Sequence, residues 1–176
     1  MAIENEMRSG EVVETSTTKF VTQCYELYGA PPLGALVKAG DSHPVYGVVH
    51  QVSTQGIDPA RRPVPRGHEE STEEDVYRSN PQLSYLLRTD FDAVIVAHSE
   101  QGVLQYNLPP IPPSIYAFVH VCSTEEVILF TANTVFLRSL ATSRIDALEE
   151  VVAAHLRYVA STQNDPDLFL TEAGKQ

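Results

Sequence analysis

Gly10-Glu-Val-Val-Glu-Thr15, Lys19-Phe-Val-Thr-Gln-Cys-Tyr-Glu26, Leu33-Gly-Ala-Leu-Val-Lys38 and Val45-Tyr-Gly-Val-Val-His-Gln-Val-Ser53 are four short runs rich in β-branched and apolar residues. Between them stand three clusters that break extended structure: Ser16-Thr17-Thr18, Tyr28-Gly29-Ala30-Pro31-Pro32, and Ala39-Gly40-Asp41-Ser42-His43-Pro44. Strand-length runs at nearly even spacing, separated by turn clusters, predict a small antiparallel barrel or sandwich. Gly47, inside the fourth run, marks a bulge or the bend by which a small barrel closes.

Further on, Phe91–Ser99 (FDAVIVAHS) is the strongest strand signal in the chain. Glu100-Gln101-Gly102 turns it into Val103–Tyr106, so the pair reads as a hairpin and brings the strand count to six. Between these groups, residues 54–89 read as an insertion. Its first part (TQGIDPARRPVPRGHEESTE) carries Gly56, Pro59, Pro63, Pro65 and Gly67, which exclude a continuous strand or helix. Arg61, Arg62 and Arg66 stand there, ahead of Glu69, Glu70, Glu73, Glu74 and Asp75. Long loops of this kind are solvated or functional, and the arginines are candidates for partner binding. A capping sequence at Ser71-Thr72-Glu73-Glu74, then Asn80-Pro81, predicts a small helix through Leu87 that plugs an open barrel end.

Leu108-Pro109-Pro110-Ile111-Pro112-Pro113 reads as a stiff extended linker over 108–113. It separates a β-domain over 9–107 from a helical region over 114–163. Ser114–Val121 is apolar and β-branched, and Ser123-Thr124-Glu125-Glu126 has the capping-box form. Leu129, Phe130, Asn133, Phe136, Leu137 and Leu140 recur at helical spacing, predicting one helix over 124–141. A second, over about 146–163, starts at Asp146 and carries Ile145, Leu148, Val152, His155 or Leu156, and Val159 on its apolar stripe. The short link Thr142-Ser143-Arg144 predicts an antiparallel helical hairpin. Residues 1–8 and 164–176 are tails, the second holding Leu168-Phe169-Leu170, which either packs back or docks on a partner. The expected class is α+β: a six-stranded antiparallel barrel followed by a C-terminal helical hairpin.

With 176 residues, the chain is long enough to bury a core without disulfide or metal support. A net charge of −11 and a pI near 4.8 oppose non-specific binding to a phosphate backbone. Two cysteines, Cys24 and Cys122, sit in apolar context and read as reduced structural thiols. No signal peptide and no membrane-length apolar run is visible, so a soluble cytoplasmic protein without membrane insertion is expected.

Gly10–Ser16, Phe20–Glu26, Leu33–Val37 and Val45–Val49 together resemble the HAS barrel, the β-domain shared by HerA-type DNA translocases and rotary ATP synthase subunits. The resemblance extends through Asn80-Pro81, Leu86–Thr89, Phe91–Val96 and the proline segment to Ile115-Tyr116, about residues 9–116. In translocases the barrel precedes a hexameric ATPase, contributes to ring assembly and meets a nuclease partner. This chain departs at the motor. A phosphate-binding loop needs a glycine-rich turn followed by Lys and Ser or Thr. The nearest match, Gly29–Ala35, has no lysine and places two prolines, which lack N–H donors, inside the turn. The resemblance therefore implies a barrel without its ATPase.

Other chemistry finds little support. His43, His50, His68, His98, His120 and His155 show no metal-ligand spacing. His98-Ser99-Glu100 alternates faces on a strand and cannot form a relay by itself. Glu69–Asp75 lacks the alternating ligands and central glycine of a calcium loop. No cofactor and no catalytic residue is expected. The function expected is a non-enzymatic interaction or assembly module that docks on a protein partner or self-associates, with Arg61, Arg62, Arg66, Leu168, Phe169 and Leu170 as candidate contacts. The alternative is an accessory factor in DNA processing, touching nucleic acid through Arg61, Arg62, Arg66, Arg78 and Arg88.

Overall fold

The computed structural model describes residues 8–176, so the expected 1–8 lead-in falls outside the described residues except for Arg8. The class is α+β. Seven strands are described: β1 (Arg8–Thr15), β2 (Lys19–Cys24), β3 (Leu36–Ala39), β4 (Val45–Gly56), β5 (Leu87–Glu100), β6 (Val103–Gln105) and β7 (Phe118–Val121). They form one antiparallel sheet in the order β2-β1-β7-β3-β4-β5-β6, and β2 also pairs with β5. That last pairing brings the sheet round on itself into a ring, with β6 attached outside it as the short arm of a hairpin.

The expected six strands are thus corrected to seven. The strand that sequence reading missed is β7, which lies inside the region expected to be helical. It pairs with β1 on one side (Gly10 with Val119) and with β3 on the other (Lys38 with His120). Only four residues long, it carries no periodic signal of its own; its partners lie some 80 to 110 residues earlier in the chain. The proline segment brings the chain back to the sheet, with Pro109 and Pro113 buried against the molecule.

Alternation along the strands explains where the core sits. Val37, Ala39, Val45, Val49, Phe91, Ala93 and Ile95 join Val12, Phe20 and Val119 in one buried cluster. Leu36, Val48, Val94 and Val96, one residue out of phase, belong to a second cluster shared with the helices. Successive side chains on a strand point to opposite faces. One face of β3, β4 and β5 therefore fills the ring, and the other carries the helical layer. This two-sided burial is why FDAVIVA reads as a continuous apolar run. Each such Val, Leu, Ile or Phe side chain, taken fully from water, contributes about 1.5–3 kcal/mol. Gly47 meets its expectation. The β4–β5 register shifts between Tyr46 and Gly47, and a Cβ there would lie 2.9 Å from Ala93 Cβ and 3.0 Å from the Phe20 ring.

Six helices are described: α1 (Glu73–Ser79), α2 (Leu83–Leu86), α3 (Thr124–Thr131), α4 (Phe136–Ala141), α5 (Leu148–Ala160) and α6 (Pro166–Ala173). The expected hairpin of two long helices is corrected. The first splits into α3 and α4 because the Asn133 side chain accepts from Val135 N at 3.0 Å, a local turn that competes with the helix. The second begins at Leu148, after Ala147 in the left-handed region (φ 51°), so Asp146 is not its cap. At α3 the expected capping box is present: Ser123 Oγ accepts from Glu126 N, and Glu126 accepts from Ser123 N at 2.9 Å. Glu126 also takes Lys38 of β3 at 2.5 Å, tying the helix start to the ring.

Helix α5 is pressed on the turn before β3. Gly34 has φ +84°, and its missing Cβ leaves room for the α5 backbone at Ala154 and His155. His155 is fully buried, and its Nδ1 lies 2.7 Å from Gly34 O. A carbonyl only accepts, so that nitrogen carries the proton. The expected plug over 80–87 is also corrected. Asn80 closes α1, donating its side-chain amide to Val76 O at 3.0 Å, and neither α1 nor α2 contains a buried residue.

Candidate functional site

Strands β4 and β5 outrun the ring. β3 accompanies β4 only from Val45 to Val48, and β2 accompanies β5 only from Asp90 to Val94. The β4–β5 pairing itself continues through Thr54–Thr89 and Gln55–Arg88 to Gly56–Leu87. The result is a two-stranded ribbon with residues 57–86 at its tip. Polar, exposed Thr54 and Gln55 give such a ribbon no alternation, so the sequence shows no strand there. Ile57 N donates to Leu86 O at 2.9 Å and closes the neck of the tip. A clamp at the side holds it: Tyr28 N donates to Thr89 Oγ1 at 2.8 Å, and the Tyr28 and Tyr77 hydroxyls meet at 2.6 Å. That shared bond is the main reason the Tyr77 phenol is pushed up to about 12.

Arg61, Arg62 and Arg66 come together here, lining one groove of about 320 Å³ with Ile57, Val64, Leu83, Tyr85 and Leu86. Tyr85 is 81% exposed, and Val64, Leu86 and Ile57 are exposed as well. Asp58 is the only acid in the lining; it accepts from Ala60 N at 2.9 Å and pairs with Arg61 at 3.6 Å. Arg66 Nη1 reaches Asn80 Oδ1 at 3.4 Å. Arg62 has no ion-pair or hydrogen-bond partner among the described residues. The groove thus presents guanidinium groups beside exposed apolar and aromatic surface, a combination suited to holding carboxylates or phosphates next to an apolar anchor.

The other candidate residues lie elsewhere. Arg78 is engaged by Asp75 at 2.5 Å, and Arg88 by the buried Asp90 at 3.0 Å. Burial raises the Asp90 carboxyl, and the Arg88 charge opposes that rise. Leu168, Phe169 and Leu170 fall on α6, where Asp165 caps by accepting from Leu168 N at 3.0 Å. Phe169 turns into the helical core and is 7% exposed, so it cannot serve as an open contact; Leu168 (58%) and Leu170 (42%) face outward. Sequence reading missed Tyr85, Leu86, Ile57 and Val64 as groove walls. The signal was apolar residues scattered among prolines and arginines with no period to bury them.

A second cavity, about 410 Å³, opens between Thr18-Lys19 and the Thr142–Ile145 link. Part of its polar lining is engaged: Lys19 with Asp92 at 3.5 Å, Thr142 with Arg138 O at 2.8 Å, Ser143 with Leu140 O at 2.7 Å; Arg144, which also lines it, has no ion pair or side-chain hydrogen bond among the described residues. Among the described residues, no group of three or more His, Cys, Asp and Glu is placed to hold a metal ion. No described helix is long and apolar enough to cross a membrane. No protein-family model matches the chain, and a search of curated proteins returns no match.

Proposed function

We propose that the chain is a non-enzymatic interaction module: a HAS-type β-barrel, without a motor domain, that docks on a protein partner through the groove at its ribbon tip. The observation that carries this reading is the gathering of Arg61, Arg62 and Arg66 with exposed Tyr85 and Leu86 in one groove. Arginine and tyrosine are the residue types that most often anchor protein interfaces. The groove also stands apart from the buried side-chain cluster inside the ring. Support for the HAS-type assignment comes from the strand ring and from the sequence resemblance over 9–116.

The test is to isolate the protein that co-purifies with the native chain and titrate it against wild type and an Arg61→Glu/Arg62→Glu/Arg66→Glu variant. Affinity should fall about tenfold or more, with melting temperature and circular dichroism unchanged. Equal affinity in the variant would refute the groove as the docking site. A second reading, contact with nucleic acid, is favoured by the same arginines beside an exposed tyrosine and opposed by the net charge of −11. Measurable affinity for single-stranded DNA at low salt, falling steeply as salt rises, would select it.

A further inference from the structure

The ribbon has a second property beside the arginine groove: one side of β4 is open. Ladder pairing with β3 stops at Val48, and the last bonds on that side are Gly34 N to Val49 O at 2.8 Å and Val49 N to Ala35 O at 3.0 Å. Beyond Val49, the pairing of β4 among the described residues is to β5 alone. Ile57 bonds to Leu86 in continuation of that register. Antiparallel ladders alternate, so residues 51, 53 and 55 turn their backbone groups to β5 and Val52 and Thr54 turn theirs outward.

Exposed strand edges are normally blunted by charge, proline or a covering element. His50–Gly56 contains neither proline nor a Lys, Arg, Asp or Glu side chain, and Val52 is 44% exposed. The open edge also leads somewhere. Gly56 and Ile57 line the arginine groove, and Val52 to Gly56 spans about 13 Å of strand. A segment paired along Val52 and Thr54 therefore enters the groove within a few residues.

We infer that the β4 edge and the Arg61/Arg62/Arg66 groove form one composite site for an extended acidic segment of a protein partner, which adds a strand to β4 and places its carboxylates among the guanidiniums. Main-chain bonding to Val52 and Thr54 gives pairing without sequence preference, and the arginines select acidic residues. Charge complementarity names the occupant, since the lining holds three arginines and the single acid Asp58. Nucleic acid fits less well because its backbone offers acceptors but no alternating amide donors for a strand edge. A second copy paired edge to edge brings an uncharged strand and leaves the groove unfilled.

This inference rests on the groove being the docking site, and its test separates the two. The probes are a fluorescein-labelled peptide of alternating Thr and Val ending in a run of Glu, the same peptide with alternate amides N-methylated, and oligo-dT. Binding to the full chain is followed by anisotropy, and hydrogen exchange is read at the Val52 and Thr54 amides. The acidic peptide should bind and slow exchange at both amides about tenfold or more. N-methylation, Val52→Pro, and the Arg61→Glu/Arg62→Glu/Arg66→Glu variant should each weaken binding about tenfold. The wild-type exchange readout needs no variant to fold. Equal binding of the N-methylated peptide, unchanged exchange at Val52 and Thr54, tighter binding of oligo-dT, or protection of the edge by dimerisation without peptide would each overturn the inference. If the peptides fail while the arginine variant still loses its native partner, the composite site falls and the groove stands. If that variant keeps its native partner, the groove falls too.

Discussion

Replacing Gly34 by Ala tests how the helical layer is locked to the ring. Gly34 has φ +84°, where an L-residue costs roughly 1–2 kcal/mol. Its new Cβ would lie 2.5 Å from His155 N, 2.6 Å from Ala154 C and 2.9 Å from Ala154 O, all backbone atoms of α5. Relief requires α5 to withdraw by about 1 Å, and overpacking of this kind typically costs about 1–3 kcal/mol. Withdrawal also stretches the 2.7 Å bond between His155 Nδ1 and Gly34 O, worth about 1 kcal/mol. The sum is about 3–6 kcal/mol, a fall in Tm on the order of 10 °C for a chain of this size. Gly102→Ala supplies the comparison. Gly102 also has a positive φ (+79°), in a two-residue hairpin turn with Gln101, but an added Cβ meets nothing within 4 Å. It should cost only the conformational part, about 1–2 kcal/mol. Urea unfolding and thermal melts of both variants decide the matter. Equal destabilisation of the two would refute the close approach of α5 to the Gly34 turn.

Acid should weaken the fold through His155. Burial lowers it to about 4 from 6.5, with the Gly34 hydrogen bond acting in the opposite direction. The neutral ring is the folded form, so its contribution is complete above pH 6.5 and is lost as pH falls from 6.5 toward 4. The loss at pH 4.5 is about 2.5 kcal/mol. Urea titrations at pH 7 and 4.5 should show His155→Gln losing that much less than wild type; equal losses would contradict the assignment. Ser123→Ala removes one half of the α3 capping box and should cost about 1 kcal/mol in the same assay, while Glu126 keeps its bonds to Ser123 N and Lys38. Burial, with help from the Asp90 charge, pushes the Cys24 thiol up to about 11. Native protein at pH 8 should therefore react with a thiol reagent at Cys24 far more slowly than the unfolded chain does, and labelling at the unfolded rate would contradict the raised, sheltered thiol.

The strands legible in the sequence were those whose own residues carry the signal. Residues 10–15, 19–26 and 45–53 are long enough to alternate, and Gln101-Gly102 announces its hairpin. β7 was hidden because Phe118–Val121 is too short to show a period and its partners β1 and β3 are remote in the chain. The outer halves of β4 and β5 were hidden because Thr54, Gln55, Arg88, Thr89 and Asp90 are polar and give no apolar alternation. The split between α3 and α4 was written at Asn133, but apolar spacing through Phe130 and Phe136 outweighed one turn-forming side chain. At the site, the arginines could be read as candidates and their walls could not. Tyr85 and Leu86 reach the groove only because Gly56 and Leu87 pair at the neck and return the chain to Arg61.

The docking of a partner at the ribbon tip is tested most directly by hydrogen exchange on the native complex compared with the free chain. Protection should rise at Val52, Thr54, 57–66 and 83–87, and the amides of α5 and α6 should be unchanged. Protection confined to the helical layer around Leu168 and Leu170, with the ribbon tip exchanging as in the free chain, would contradict the account.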